Sequence, residues 1–130
     1  MSTDPSANVE IVRRIYDEFN QTLELPRWAL LDSVEWQPPA DEPDNGLRRG
    51  VEAVAAYVRE WAATFDDYRC EVHELIDRGG SVVAALHLRG RIGESSAALS
   101  IPLTQVWTIR DGKVARVDEY RTTAEALKEH

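Results

Sequence analysis

Apolar positions recur at two periods along this chain, helical in the first half and extended in the second. Val9, Val12, Ile15, Tyr16 and Phe19 fall at three- and four-residue steps, with Arg13, Arg14, Asp17 and Glu18 on the opposite side. That spacing predicts an amphipathic helix. Asp4-Pro5 marks its start, a capping carboxylate followed by proline at the first helical position, and its end is expected near Gln21. Pro26 predicts the opening of a second, short helix carrying Trp28, Leu30 and Leu31, followed by a strand over residues 33–37 that stops at Pro38-Pro39. Residues 40–49 are acidic and turn-rich (Asp41, Glu42, Pro43, Asp44, Asn45, Gly46) and read as a loop. Val51, Val54, Val58, Trp61 and Phe65 then mark a third helix, whose stripe Ala55 and Ala62 widen.

From Tyr68 the period changes to two. Strands are predicted over residues 68–77, 81–91, 99–110 and 113–121. Val82, Ala84, Leu86 and Leu88 share one face of the second of these; Ile101, Leu103, Gln105, Trp107 and Ile109 share one face of the third. Arg78-Gly79-Gly80 and Gly93 punctuate the run, residues 92–96 read as a turn, and Asp111-Gly112 is a hairpin signal. The tail, residues 123–130, is open between a helical turn and a frayed end. Helices followed by an antiparallel meander predict an α+β domain with its helices on one sheet face.

The length of 130 residues fits one domain spanning 1–130, with its core over about 8–127. The formal net charge of -8 argues against a polyanionic nucleic acid and against an anionic membrane surface. A single cysteine, Cys70, excludes an intrachain disulfide and suits a reducing compartment. The polar, acidic start has no apolar run behind it and does not read as a signal peptide, and no stretch reaches the length of a membrane span. The expected localisation is cytoplasmic. No Gly-x-Gly-x-x-Gly loop and no metal-ligand spacing of histidines is present, so neither cofactor nor metal is expected.

Three segments carry a family resemblance: Val34-Glu35-Trp36, Arg49-Gly50-Val51 at the opening of the third helix, and residues 106–114 (Val-Trp-Thr-Ile-Arg-Asp-Gly-Lys-Val). With the order of elements, they make the chain similar to the SnoaL-like branch of the nuclear transport factor 2-like superfamily. The resemblance implies a curved antiparallel sheet wrapped as a cone around three helices. It also implies an internal pocket between the concave face and the first and third helices. The convex face would pair two subunits into a homodimer. The polar positions Thr104, Thr108, Arg89, His87, Arg116 and Asp118, mixed with Val83, Ala85, Val106 and Tyr120, suit such an interface.

Gln105 is a polar amide on an apolar face, so it either satisfies a neighbour or lines the pocket. In similar ketosteroid isomerases this position carries an acid that stabilises an oxyanion, and an amide can donate there too. Counting from Gly112-Lys113-Val114, the catalytic aspartate of SnoaL-like cyclases falls on Glu119. A carboxyl buried in an apolar cone suits acid/base work; the alternative is an ion pair between Glu119 and an arginine. Alternation alone leaves open whether Asp118 or Glu119 faces inward; Asp118 is read as a convex-face partner of Arg116. The isomerase tyrosine falls on Ile15, one residue before Tyr16, and the isomerase base falls on Trp36 or Gln37. Leu88-Arg89-Gly90-Arg91 replaces the Arg-x-Asp motif of limonene epoxide hydrolase. His87 is expected outside the pocket, and Cys70 is read as a small buried hydrophobe.

The aromatic residues, Tyr16, Phe19, Trp28, Trp36, Tyr57, Trp61, Phe65 and Trp107, are placed on or near inner faces, where rings serve as core or as pocket wall. The expected ligand-binding set is Tyr16, Phe19, Trp36, Tyr57, Trp61, Leu86, Leu103, Trp107 and Val117. Three readings of function follow. The first is a binding protein for a small apolar or carbonyl-containing metabolite. The second is a cofactor-independent cyclase, isomerase or dehydratase with Glu119 as acid/base and Gln105 as oxyanion donor. The third is a dimeric interaction module with a filled core.

Overall fold

The computed structural model describes residues 5–93 and 97–130. The cap read at Asp4 and residues 94–96 of the predicted turn lie outside the described residues. Helix α1 (Pro5–Thr22) leads through a 3-10 turn (Arg27–Ala29) into β1 (Leu30–Gln37) and a two-residue strand, β2 (Arg48–Arg49). Helix α2 (Val51–Ala63) follows. Then come β3 (Asp66–Asp77), β4 (Ser81–Ile92), β5 (Ala97–Arg110), β6 (Lys113–Tyr120) and α3 (Thr123–Glu129). Among the described residues no helix is long and apolar enough to cross a membrane.

Two local readings are corrected and one left open is closed. The second predicted helix is only the 3-10 turn, because Leu30 and Leu31 belong to β1, where Leu30 pairs with Val114 of β6. Arg48-Arg49, read as loop, forms the edge strand β2 against Glu35 and Trp36. The tail is helical, and Thr122 is its N-cap: the Thr122 hydroxyl accepts from the Glu125 amide at 3.1 Å.

The six strands run in the order β2-β1-β6-β5-β4-β3. Strands β3 to β6 form the expected meander, but β1 lies parallel to β6, so the sheet is mixed rather than antiparallel. Alternation cannot reveal this, because it assigns faces and not partners. The pairing places the first and last strands side by side, which brings Trp36 and Glu119 within reach of each other.

One sheet face carries Val82, Ala84, Leu86 and Leu88 of β4 together with Leu103, Trp107 and Ile109 of β5. These pack with the stripes of α1 (Val12, Ile15, Phe19) and α2 (Val54, Val58, Ala62) in one core. A second, smaller cluster joins Val83 and Val106 to Ala126 of α3 on the other face. The helices therefore do not all share one side: α3 covers part of the face that alternation assigns to the convex surface.

Two irregularities set which side chains point where. In β6, Thr108 pairs with Arg116 but Ile109 with Val114, so Ala115 is an extra residue and Val114 joins Val117 in the core. In β3, Val72 pairs with Leu86 and Glu74 with Ala85, leaving His73 as the bulged residue. The long edge strand β3 is also tied to α1. The Asn20 amide donates to the Cys70 carbonyl at 2.9 Å and accepts from the Cys70 amide at 2.8 Å, as a neighbouring strand would. That clamp fixes the helix carrying Tyr16 against the sheet.

Candidate functional site

The polar groups inside the core form one connected chain. Gln105 of β5 and Glu119 of β6 are register partners, and both point into the concave side. The Trp107 indole N–H donates to the Tyr16 hydroxyl at 2.9 Å, which donates to Gln105 Oε1 at 2.5 Å. Gln105 Nε2 then donates to Glu119 Oε2 at 2.8 Å, and the Trp36 indole donates to Glu119 Oε1 at 2.9 Å. The direction of the chain follows from its ends. An indole N–H can only donate. Tyr16 therefore accepts from Trp107 and must spend its own proton on Gln105, which turns the amide so that its NH₂ faces the carboxyl. The rings support this geometry, with Tyr16–Trp107 and Trp36–Trp107 edge-to-face at 5.5 and 5.8 Å.

Burial dominates the electrostatics. It raises the Glu119 carboxyl above its ordinary value, against the opposing pull of the Gln105 and Trp36 hydrogen bonds and of the Arg121 charge. Burial also holds the Tyr16, Tyr57 and Tyr68 hydroxyls neutral and pushes the Cys70 thiol up to about 12. Both carboxyl oxygens of Glu119 accept one hydrogen bond each, so a proton on Glu119 is left to donate from an unused position.

These groups line a cavity of ≈ 50 Å³. Of the expected ligand-binding residues, Tyr16, Phe19, Trp36, Tyr57, Trp61, Leu103 and Trp107 line it, as do Gln105 and Glu119. Leu86 and Val117 do not. They are 2% and 0% exposed and belong to the close-packed core, because the cavity occupies only part of the concave face. Trp28 is also displaced from the expected inner cluster. It is 39% exposed, donates to Glu18 at 2.6 Å and lies 4.4 Å beneath the Arg14 guanidinium.

Further wall residues went unread. Tyr68 and Cys70 alternate inward on β3, and the Trp61 indole donates to the Tyr68 hydroxyl at 2.9 Å. Ile15, Val58 and Leu88 sit on stripes already recognised, so the same periodicity could have found them. Ile15 and Tyr16, neighbours on the α1 stripe, both reach the cavity. Leu25, Pro39, Glu42 and Arg121 complete the wall, and no periodic signal marks them. Arg121 holds the loop after β1 in place, with Nε 2.9 Å from Asp41 and Nη2 2.7 Å from Glu42. The Arg48 guanidinium lies 4.4 Å over the Tyr57 ring.

The expected ion pair between Glu119 and an arginine does not form: the carboxyl's direct partners are Gln105 and Trp36, and Arg121 is engaged elsewhere. Asp118 lies on the opposite face, bound by Arg116 at 3.0 Å, and Arg116 also reaches Glu35 at 3.2 Å. The His73 bulge brings that ring against His87, Nε2 to Nδ1 at 2.6 Å, away from the cavity. Among the described residues no group of three or more His, Cys, Asp or Glu side chains is placed to hold a metal ion.

No curated protein sequence matches the chain. Its fold is close to several solved structures. Bal32a, from a soil-derived mobile gene cassette, is 20% identical over 98% of both chains, with a TM-score of 0.78. TerC, co-crystallised with polyporic acid, is 18% identical over 94% of this chain and 96% of its own, with a TM-score of 0.71. A protein of ketosteroid isomerase-like fold from Catenulispora acidiphila, in complex with trimethylamine, is 13% identical over 92% and 90%, with a TM-score of 0.72. These likenesses establish a nuclear transport factor 2-like fold. The family model for the SnoaL-like domain matches residues 12–117, most of the chain, and the protein belongs to the SnoaL-like family.

Proposed function

We propose that the protein binds a small, largely apolar molecule in the chamber between α1, α2 and the concave sheet. One observation carries this reading: an aromatic-lined cavity remains open in the core, and a single hydrogen-bonded chain through Tyr16 and Gln105 ends on a buried carboxyl at its wall. The arrangement fits a ligand site with few polar groups. A filled cone, as an interaction module would have, leaves no such space. The neighbours that hold polyporic acid and trimethylamine support small-molecule binding as a use of this fold. Native mass spectrometry of freshly purified protein tests it. An added mass lost on denaturation supports the reading, and apo protein that no small-molecule panel stabilises removes it.

The position of Glu119 favours a second reading, proton transfer on a bound carbonyl compound, because a buried carboxyl can act as acid or base there. Gln105 is a weaker oxyanion donor than its strand position implies, since its oxygen is held by Tyr16 and one N–H by Glu119. Its part in either reading is to position Glu119. Turnover unchanged in Glu119→Gln rules out Glu119 as the acid/base. A homodimer through the sheet face around Arg116, Asp118 and Glu35, beside α3, belongs to the same proposal; light scattering that returns a monomer removes it.

A further inference from the structure

The size and charge of the chamber narrow the ligand class, on the reading that the chamber is a binding site. Its ≈ 50 Å³ admits only a few non-hydrogen atoms without rearrangement. Among the described residues Arg121 is the one cationic residue lining its wall, and it is paired with Asp41 and Glu42; Arg48, over the outer side of the wall at the Tyr57 ring, is paired with Asp44. An anionic ligand would therefore meet Glu119 and Glu42 with no counter-charge. Donors are scarce as well. The indole N–H groups of Trp36, Trp61 and Trp107 are spent on Glu119, Tyr68 and Tyr16. What the wall offers freely is aromatic surface, the Tyr57 hydroxyl and one deep carboxyl. Rings attract cations through their quadrupole, most strongly where water is excluded. A carboxylate inside the same chamber supplies the counter-charge that a buried cation requires.

We propose that the chamber takes a small alkylammonium cation, held among the rings of Trp36, Tyr57, Trp61 and Trp107 with Glu119 as its counter-ion. Binding is then linked to a proton. The titratable groups around Glu119 are Tyr16 from α1, Tyr57 from α2, Tyr68 and Cys70 from β3, Glu42 from the loop after β1, and Arg121 beyond β6. The tyrosines and the thiol stay neutral, Arg121 stays charged and Glu42 is held in its ion pair with Arg121, so the proton that leaves as the cation enters comes from Glu119. Below the empty-site value of that carboxyl, affinity for a permanent cation rises about tenfold per pH unit; above it, affinity levels off. A neutral ligand of the same shape gains nothing from ionisation of Glu119.

The test uses tetramethylammonium and tert-butanol, alike in size and different in charge, titrated calorimetrically from about pH 5 to about pH 9 in two buffers of different ionisation enthalpy. The expected result is a preference of about tenfold or more for tetramethylammonium at the upper end. Proton release should approach one per cation at low pH. Glu119→Gln should lose both the preference and the pH dependence. If that variant does not fold, Tyr57→Leu serves, and it should weaken the cation more than the alcohol. Equal or tighter binding of tert-butanol overturns the cation assignment and leaves the small-molecule site standing. A preference unchanged in Glu119→Gln overturns the counter-ion. Binding of neither probe to the wild-type protein at any pH overturns the alkylammonium assignment, and if native mass spectrometry also finds the chamber empty, the binding-site reading falls with it.

Discussion

Replacing Tyr16 with Phe deletes one oxygen from the middle of the buried chain and leaves the ring. The edge-to-face contact with Trp107 at 5.5 Å survives, so little packing is lost. Two hydrogen bonds go: the Trp107 indole loses its acceptor and Gln105 Oε1 its donor. Trp107 is 1% and Gln105 6% exposed, so neither group reaches bulk solvent by a small movement. Each buried group left unsatisfied costs about 1–3 kcal/mol. Without the Tyr16 hydroxyl the Gln105 amide is also free to turn its oxygen toward Glu119, which would cost the carboxyl a donor. Allowing partial relaxation, the expected loss is about 2–4 kcal/mol, a large share of the stability of an ordinary domain. Urea unfolding followed by tryptophan fluorescence measures it as a lower midpoint at an unchanged slope. Tyr57→Phe is the control. That hydroxyl makes no hydrogen bond among the described residues, and its loss should stay within about 0.5 kcal/mol. A Tyr16→Phe cost that small would refute the connected chain.

Glu119→Gln changes the pH dependence of stability with a definite sign. The folded carboxyl titrates above its ordinary value of 4.5, so between the two values the native state holds a proton that the unfolded chain has released. Wild type therefore loses stability relative to Glu119→Gln as pH rises from about 4.5 through the folded value, and the difference is constant beyond it. Paired denaturation curves across that window check this, and a difference that does not vary with pH refutes a buried, proton-holding Glu119. Cys70, with its thiol pushed up to about 12, should stay unreactive to a disulfide reagent near neutral pH until the protein unfolds; modification of folded protein at the rate of a free thiol contradicts the structure. Gly90→Ala would place a Cβ 3.0 Å from Phe65 Cβ and 3.2 Å from the Asp66 carbonyl, at a cost of about 1–3 kcal/mol. An unchanged thermal midpoint would refute the close approach of Phe65 and Asp66 to β4 at Gly90.

Residues 82–88 and 101–109 show how far alternation can be read. Their inward and outward sets match the structure, Gln105 among them, because β4 and β5 pair without a break in register over that span. On β6 the same reasoning leaves the choice between Asp118 and Glu119 open. The extra residue at Ala115 puts Val114 and Val117 on one face, three positions apart, where strict alternation allows only even steps. A bulge follows from the twist and pairing of two strands, and a single strand's pattern does not contain it. The His73 bulge hides the pairing with His87 in the same way.

The site was legible as a set of residue types and not as a network. Tyr16 and Gln105 are 89 positions apart, and Trp36 and Glu119 are 83 apart; each pair meets only because α1 lies on the meander and β1 lies parallel to β6. Once they meet, donor chemistry decides the rest. Two indoles that can only donate stand at opposite ends of the chain, one feeding Tyr16 and the other feeding Glu119. With Tyr16 obliged to pass its proton to Gln105, every fixed donor in the chain is directed toward the carboxyl. The fold thus places Glu119 where two donors favour its charge and burial opposes it. A ligand that brings positive charge tips that balance one way, and a neutral hydrogen-bond acceptor tips it the other.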